Sequence, residues 1–283
     1  MENILLISKE KYIYLTYIFA RYIFILSEDS YKKVKNDLSS QQYTLTTVKK
    51  MNNLVEIINA KKIYKMGEFK VTALNGITLT IKKGEFVAIM GASGSGKTTL
   101  LNLIGALDRP TEGNILIEGL DISKLNDDEL AKLRNQKIGF IFQFFNLISR
   151  MTALDNVALP MAFAGISRDQ RRRRAEELLK MVNLEDRVNH KPTELSGGQQ
   201  QRVAIARALG NNPSIVLCDE VTGNLDSKTG KEIMDLLRTL NDEQGQTFII
   251  VTHDPMVADC VDRIISIQDG VIVKDEIKVS NCA

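Results

Sequence analysis

Gly91-Ala92-Ser93-Gly94-Ser95-Gly96-Lys97-Thr98-Thr99-Leu100 decides the fold of this chain. An apolar run, Phe86-Val87-Ala88-Ile89-Met90, precedes it, and Leu100, Leu101, Leu103 and Ile104 follow at helical spacing. Strand, glycine loop and helix in that order form the setting a phosphate-cradling loop requires. Glycines let successive backbone N–H groups turn inward without Cβ clashes, and a helix starting near Lys97 adds its positive dipole end. Lys97 is then placed to reach phosphate oxygens, and the Thr98 hydroxyl to ligate Mg²⁺.

The 283 residues allow one large domain or two small ones with ample core. A charged fraction of 25%, a hydrophobic fraction of 44% and a net charge of +2 are ordinary for a globular protein. They give no argument for a nucleic-acid partner. Cys218, Cys260 and Cys282 have no metal-ligand spacing and point to a reduced, cytosolic setting. With His190 and His253 as the only two histidines, a histidine-rich metal site is excluded.

Residues 1–50 differ from the rest: six of the seven tyrosines lie there, and the first glycine is Gly67. The run from Tyr12 to Leu26 is apolar but short, and Arg21 interrupts it, so it falls below the length of a membrane span. No small-residue cleavage site follows it. These residues are read as an N-terminal extension without an assigned fold, and 51–283 as the working domain.

From Leu54 to Met90 the pattern predicts short strands. Tyr64 lies among them, and spacing leaves two roles open: a half-buried strand aromatic, or a platform for a nucleotide base. Asn126-Asp127-Asp128-Glu129 opens a helix with acids at its positive end. Ile138-Gly139-Phe140-Ile141-Phe142 is a buried strand ending at Gln143, which is either a strand-end polar residue or a contact to metal and attacking water. Residues 151–182 turn helical, and Arg171 to Arg174 spread around a solvated helix. Ser196 in Leu195-Ser196-Gly197-Gly198-Gln199 caps another helix, giving the chain a second anion-ready helix end. One glycine loop already cradles a nucleotide's phosphates, so this second end is expected to serve another copy's site.

Ile215-Val216-Leu217-Cys218 reads as a central parallel strand that delivers Asp219 and Glu220 to its carboxyl end. Strand alternation is expected to separate the two carboxylates, Asp219 for the Mg²⁺ shell and Glu220 for a water. Phe248-Ile249-Ile250-Val251-Thr252 is a further buried strand and ends at His253, a candidate donor to the γ-phosphate. A hairpin turning at Asp269-Gly270 closes the pattern.

In order along the chain, these segments resemble the ABC ATPase family over residues 54–276. Gly91–Thr98 looks like Walker A, Gln143 like the Q-loop glutamine and Leu195–Gln199 like the signature. Ile215–Asp219 with Glu220 looks like Walker B and its catalytic glutamate. Gly223-Asn224-Leu225-Asp226 resembles the D-loop, His253 the switch histidine and Tyr64 the adenine-stacking aromatic. Gly223–Asp226, Met151–Val157 and Ala73–Ile77 are similar to the lipoprotein-releasing and macrolide-exporting group, which includes a cell-division ATPase that signals through its permease. Val221 departs from the family, which usually has proline after the glutamate.

The resemblance implies an α/β P-loop NTPase fold with an antiparallel β subdomain and a helical subdomain at about 145–200. It implies ATP and Mg²⁺ (held by Thr98, Gln143 and Asp219), with ATP trapped between two copies and split with the help of Glu220 and His253. The partners it implies are a second such subunit and a membrane permease on a separate chain. The location is then the inner face of the cell membrane. Phe144, Phe145 and Leu147 are expected to grip that permease. The alternative is a permease-coupled signalling ATPase that moves no substrate.

Overall fold

The computed structural model describes residues 52–278; the N-terminal extension lies outside them. Two sheets organise the structure. A four-stranded antiparallel sheet has the order β2-β1-β4-β5, from β1 (Asn53–Met66), β2 (Phe69–Lys82), β4 (Glu112–Ile117) and β5 (Leu120–Asp121). A six-stranded sheet has the order β10-β9-β3-β8-β7-β6, from β3 (Phe86–Met90), β6 (Ile138–Phe142), β7 (Ile215–Asp219), β8 (Thr247–Thr252), β9 (Arg263–Gln268) and β10 (Val271–Ile277). All of its pairings are parallel except the hairpin β9/β10. The expected short strands after Leu54 are instead two 14-residue strands. Register shifts near Asn59 and Ala60 bend the pair, so continuous pairing survives where the hydrophobic alternation breaks.

Both faces of the six-stranded sheet are covered, as its unbroken apolar strands require. Phe86, Ala88, Val216, Cys218, Phe248 and Ile250 face one core. Val87, Ile89, Leu217, Ile249 and Val251 face the other, which they share with α1 (Lys97–Ile104) and the antiparallel sheet. The first core is closed by α3 (Ala153–Phe163), α4 (Arg168–Met181), α5 (Gly197–Ala208) and α6 (Ser227–Gln244). Cys218 is fully buried, and burial pushes its thiol pKa up.

The helix ends follow their capping chemistry. Asn126 and Glu129 form a reciprocal capping box at α2 (Asp127–Lys137), and Thr152 caps α3. Ser196 and Gln199 box the start of α5, Asp226 caps α6, and Gly245 ends α6 at φ 63°. Arg263 ties the two sheets together, donating to Asp275, Glu85 and the Thr80 carbonyl. Among the described residues no helix is long and apolar enough to cross a membrane.

Candidate functional site

The carboxyl ends of β3, β7 and β8 open onto one cleft of about 560 Å³. Its walls are Val71–Ala73 of β2, Ala92–Gly94 and Gly96–Thr99 of the glycine loop, and Glu220 and His253. The loop's shape depends on glycine at defined points. A Cβ on Gly91 would lie 2.2 Å from the Ile267 carbonyl oxygen and 2.6 Å from Ser95 Oγ. Gly94 and Gly96 take φ values of 79° and 105°, where side chains are disfavoured. Lys97, buried to 7% exposure, donates through Nζ to the carbonyls of Gly91 and Ala92, at 2.7 and 2.8 Å. An ammonium has three donors, so one remains for a phosphate oxygen. The buried Ser95 hydroxyl has no hydrogen-bond partner among the described residues.

Asp219 ends β7, but Glu220 is not on the strand. Its φ of 47° is left-handed, so this backbone turn, rather than strand alternation, separates the two carboxylates. Glu220 N–H still donates to the Val251 carbonyl, and its Oε1 lies 2.8 Å from His253 Nδ1. Burial, then the neighbouring Glu220 charge, push the Asp219 carboxyl above the usual range, while Lys97 opposes them.

Gln143, one residue beyond the pairing of Phe142 with Asp219, packs against Gly223 and Asn224 rather than lining the cleft. Tyr64 also lies outside the cleft wall. Its hydroxyl donates to Asp108 Oδ2 at 3.1 Å, and the Lys62 ammonium is 5.0 Å from its ring centre. Lys62 in turn pairs with Asp108. Sequence reasoning missed Lys62, Asp108 and the Val71–Ala73 wall, because long-range pairing creates them and no local pattern marks them.

Leu195–Gln199 does not line the cleft of its own chain. A Cβ on Gly198 would lie 2.5 Å from Thr229 Cγ2, so glycine lets the start of α5 abut the start of α6. Thr229 is itself fastened to Asp226 by two hydrogen bonds. Of the apolar trio after Gln143, only Phe144 is broadly exposed. Leu147 packs on the core, and Phe145 is half-buried with its carbonyl bound by Arg207.

Thr98, Gln143 and Asp219 offer a hydroxyl, an amide oxygen and a carboxylate, the hard donors Mg²⁺ prefers. Among the described residues no cluster of three or more His, Cys, Asp or Glu could hold a metal alone. A single carboxylate helped by neutral oxygens fits a cation that completes its shell with phosphate and water.

A glycine loop between a parallel strand and a helix, with acids and a histidine at neighbouring strand ends, defines a P-loop NTPase. A family model described as ABC transporter matches residues 74–223, and the chain belongs to this family as an ATP-hydrolysing subunit. It is 56% identical over 227 residues to the uncharacterized ABC transporter ATP-binding protein MJ0796 of Methanocaldococcus jannaschii, covering 79% of this chain and 97% of that one. It is 52% identical over 222 residues to the macrolide export ATP-binding/permease protein MacB of Syntrophobacter fumaroxidans, covering 78% of this chain but 31% of that protein. The dimeric MJ0796 cassette bound to ADP and Pi in a post-hydrolysis state matches with a TM-score of 0.73 and 56% identity, over 79% of this chain and 98% of that one.

Proposed function

We propose that residues 51–283 form the ATP-driven cassette of an exporter of the lipoprotein, macrolide or antimicrobial-peptide type, with residues 1–50 an appended extension. Two copies would pair head to tail. ATP on the glycine loop of one copy is then covered by Ser196–Gly198 of the other. The observation that carries this reading is the Glu220–His253 contact at the mouth of the glycine-loop cleft, with the capped signature helix outside that cleft.

The chemistry follows from these positions. Lys97 and the loop amides bind the β- and γ-phosphates, and Tyr64 stacks on the base. When bound, Mg²⁺ supplies charge neutralisation, held by Thr98, Asp219 and Gln143. Glu220 orients a water and takes its proton as the water oxygen attacks phosphorus. The β–γ bridging bond breaks with its electrons moving onto the ADP oxygen, and His253 stabilises the γ-phosphate and orients Glu220. Splitting the nucleotide removes the contact joining the copies, so ATP biases a closed shape and its products an open one.

The permease fits a groove of about 810 Å³ between the sheet and the helical segment, walled by Leu107, Phe140, Phe142, Pro160, Phe163 and Arg207. Leu107 and Phe163 are exposed at 50% and 77%, large apolar side chains suited to an amphipathic helix. The MacB relatives, in which cassette and permease occur together, support that partner. The subunit would then work at the inner face of the cell membrane. Reconstitution with the membrane protein that co-purifies with it should give ATP-dependent efflux from inside-out vesicles. ATP hydrolysis stimulated by that protein without any movement of substrate would favour the signalling alternative instead.

A further inference from the structure

We propose that Asn224 is a positioning residue for Gln143: it fixes which end of the Gln143 amide is left to meet a cation. This role rests on the reading of Gln143 as a cation ligand. Asn224 Nδ2 donates to the Gln143 backbone carbonyl at 2.9 Å, and Gln143 Nε2 donates to Asn224 Oδ1 at 3.4 Å. The first bond sets the second. A backbone carbonyl only accepts, so the Asn224 amide must present its nitrogen there and its oxygen to the Gln143 side chain. An oxygen at that point selects Nε2, which leaves Oε1 as the outward atom. A nitrogen cannot ligate Mg²⁺ as an amide oxygen does, so this orientation decides whether Gln143 serves the metal at all.

Gly223 makes the same arrangement a packing requirement. A Cβ there would lie 2.8 Å from Gln143 Nε2 and 3.3 Å from Cδ, so only glycine lets the amide nitrogen approach the chain this closely. Gly223 and Asn224 immediately follow the turn that carries Glu220, and Gly223 N–H donates to the Glu220 carbonyl. The pair therefore fastens the metal-facing glutamine to the segment holding the water-activating carboxylate. This is how outer-shell partners orient a ligand elsewhere, with a cost of about 10–100-fold in metal affinity when they are removed.

The test measures binding rather than turnover. Full-length protein is saturated with a non-hydrolysable ATP analogue, titrated with Mn²⁺, and free Mn²⁺ is read by electron paramagnetic resonance. Asn224→Ala should weaken Mn²⁺ binding about 10-fold, with analogue binding in chelator and thermal melting as in the parent. Gln143→Ala should weaken it at least as much. The double variant should match Gln143→Ala alone, because Asn224 acts through that side chain. Asn224→Leu, similar in shape but able neither to donate nor to accept, should behave as Asn224→Ala and guards against a folding artefact.

Parent-like Mn²⁺ binding by both Asn224 variants, beside a weakened Gln143→Ala, overturns the role of Asn224 and leaves the metal reading standing. Multiplying losses in the double variant also overturn it, because they mean that Asn224 acts independently. Parent-like binding by Gln143→Ala overturns the metal reading itself, and the role of Asn224 with it.

Discussion

Glu220 and His253, 33 residues apart and carried past the ends of different strands, meet through Oε1 and Nδ1 at 2.8 Å. The side chain of Glu220 is 26% exposed and that of His253 70%, so the histidine is the solvent-facing member of the pair. Such a contact lets the imidazole hold the carboxylate in one orientation toward a water. Glu220→Gln should lower ATP turnover by about 10²–10⁴-fold, the usual contribution of a positioned base. Nucleotide binding should survive, and light scattering should show a dimer that persists in ATP. Undiminished turnover would remove Glu220 from this role. Adding His253→Ala to that variant should cost less than the product of the separate losses, because the two act as one unit.

The glycine loop makes a graded prediction. Gly91→Ala would drive a methyl into the Ile267 carbonyl, a backbone atom that cannot rotate away. A methyl on Gly94 would meet nothing within 4 Å, and only the backbone φ of 79° resists a side chain there. Gly94→Ala should therefore cost about 1–2 kcal/mol from left-handed backbone strain. Gly91→Ala should cost more than that and lose nucleotide binding. Urea unfolding of the two variants tests the order, and equal losses would contradict the geometry.

Acid stability should depend on the Arg263 tie between the two sheets. Arg263, through a two-bond contact, holds the Asp275 carboxyl below the usual range. A carboxyl depressed in the fold adds stability above its unfolded pKa, and that stability is lost as pH falls through the folded value. The parent should thus lose stability below about pH 4, and Asp275→Asn should flatten that part of the melting profile. Arg263→Ala, which also strands Glu85 and the Thr80 carbonyl, should cost about 2 kcal/mol at neutral pH, judged by hydrogen bonds to charged groups. An unchanged melting temperature would show that the two sheets are held by apolar packing alone.

The partner surface is testable without nucleotide. Phe163→Asp, at an exposed position in the groove, should abolish co-purification with the permease while ATP binding stays intact. Phe144→Asp, outside that groove, should have the weaker effect. Retention of the permease by Phe163→Asp would exclude the groove as its seat.

Local chemistry in the sequence by itself determined the glycine loop and its helix. It also placed the helix starts at Asn126, Thr152 and Ser196, and the strand ends at Gln143, Asp219 and Thr252. Each depends on groups within a few residues of one another: a cap and the amide it covers, a glycine and its own dihedral angles, or an apolar run and the turn that stops it. Only the tertiary structure decided what those ends meet. It joined the expected short strands into one long bent hairpin and turned Glu220 off its strand into the left-handed region. It packed Leu147 against the core while leaving Phe163 exposed, and it paired Tyr64 with Asp108 and Gln143 with Asn224. The physical reason is that a side chain's own neighbours set its backbone preference. Its partners across 33 to 81 residues are set by how two faces of a sheet fill with helices, and that packing has no local signature.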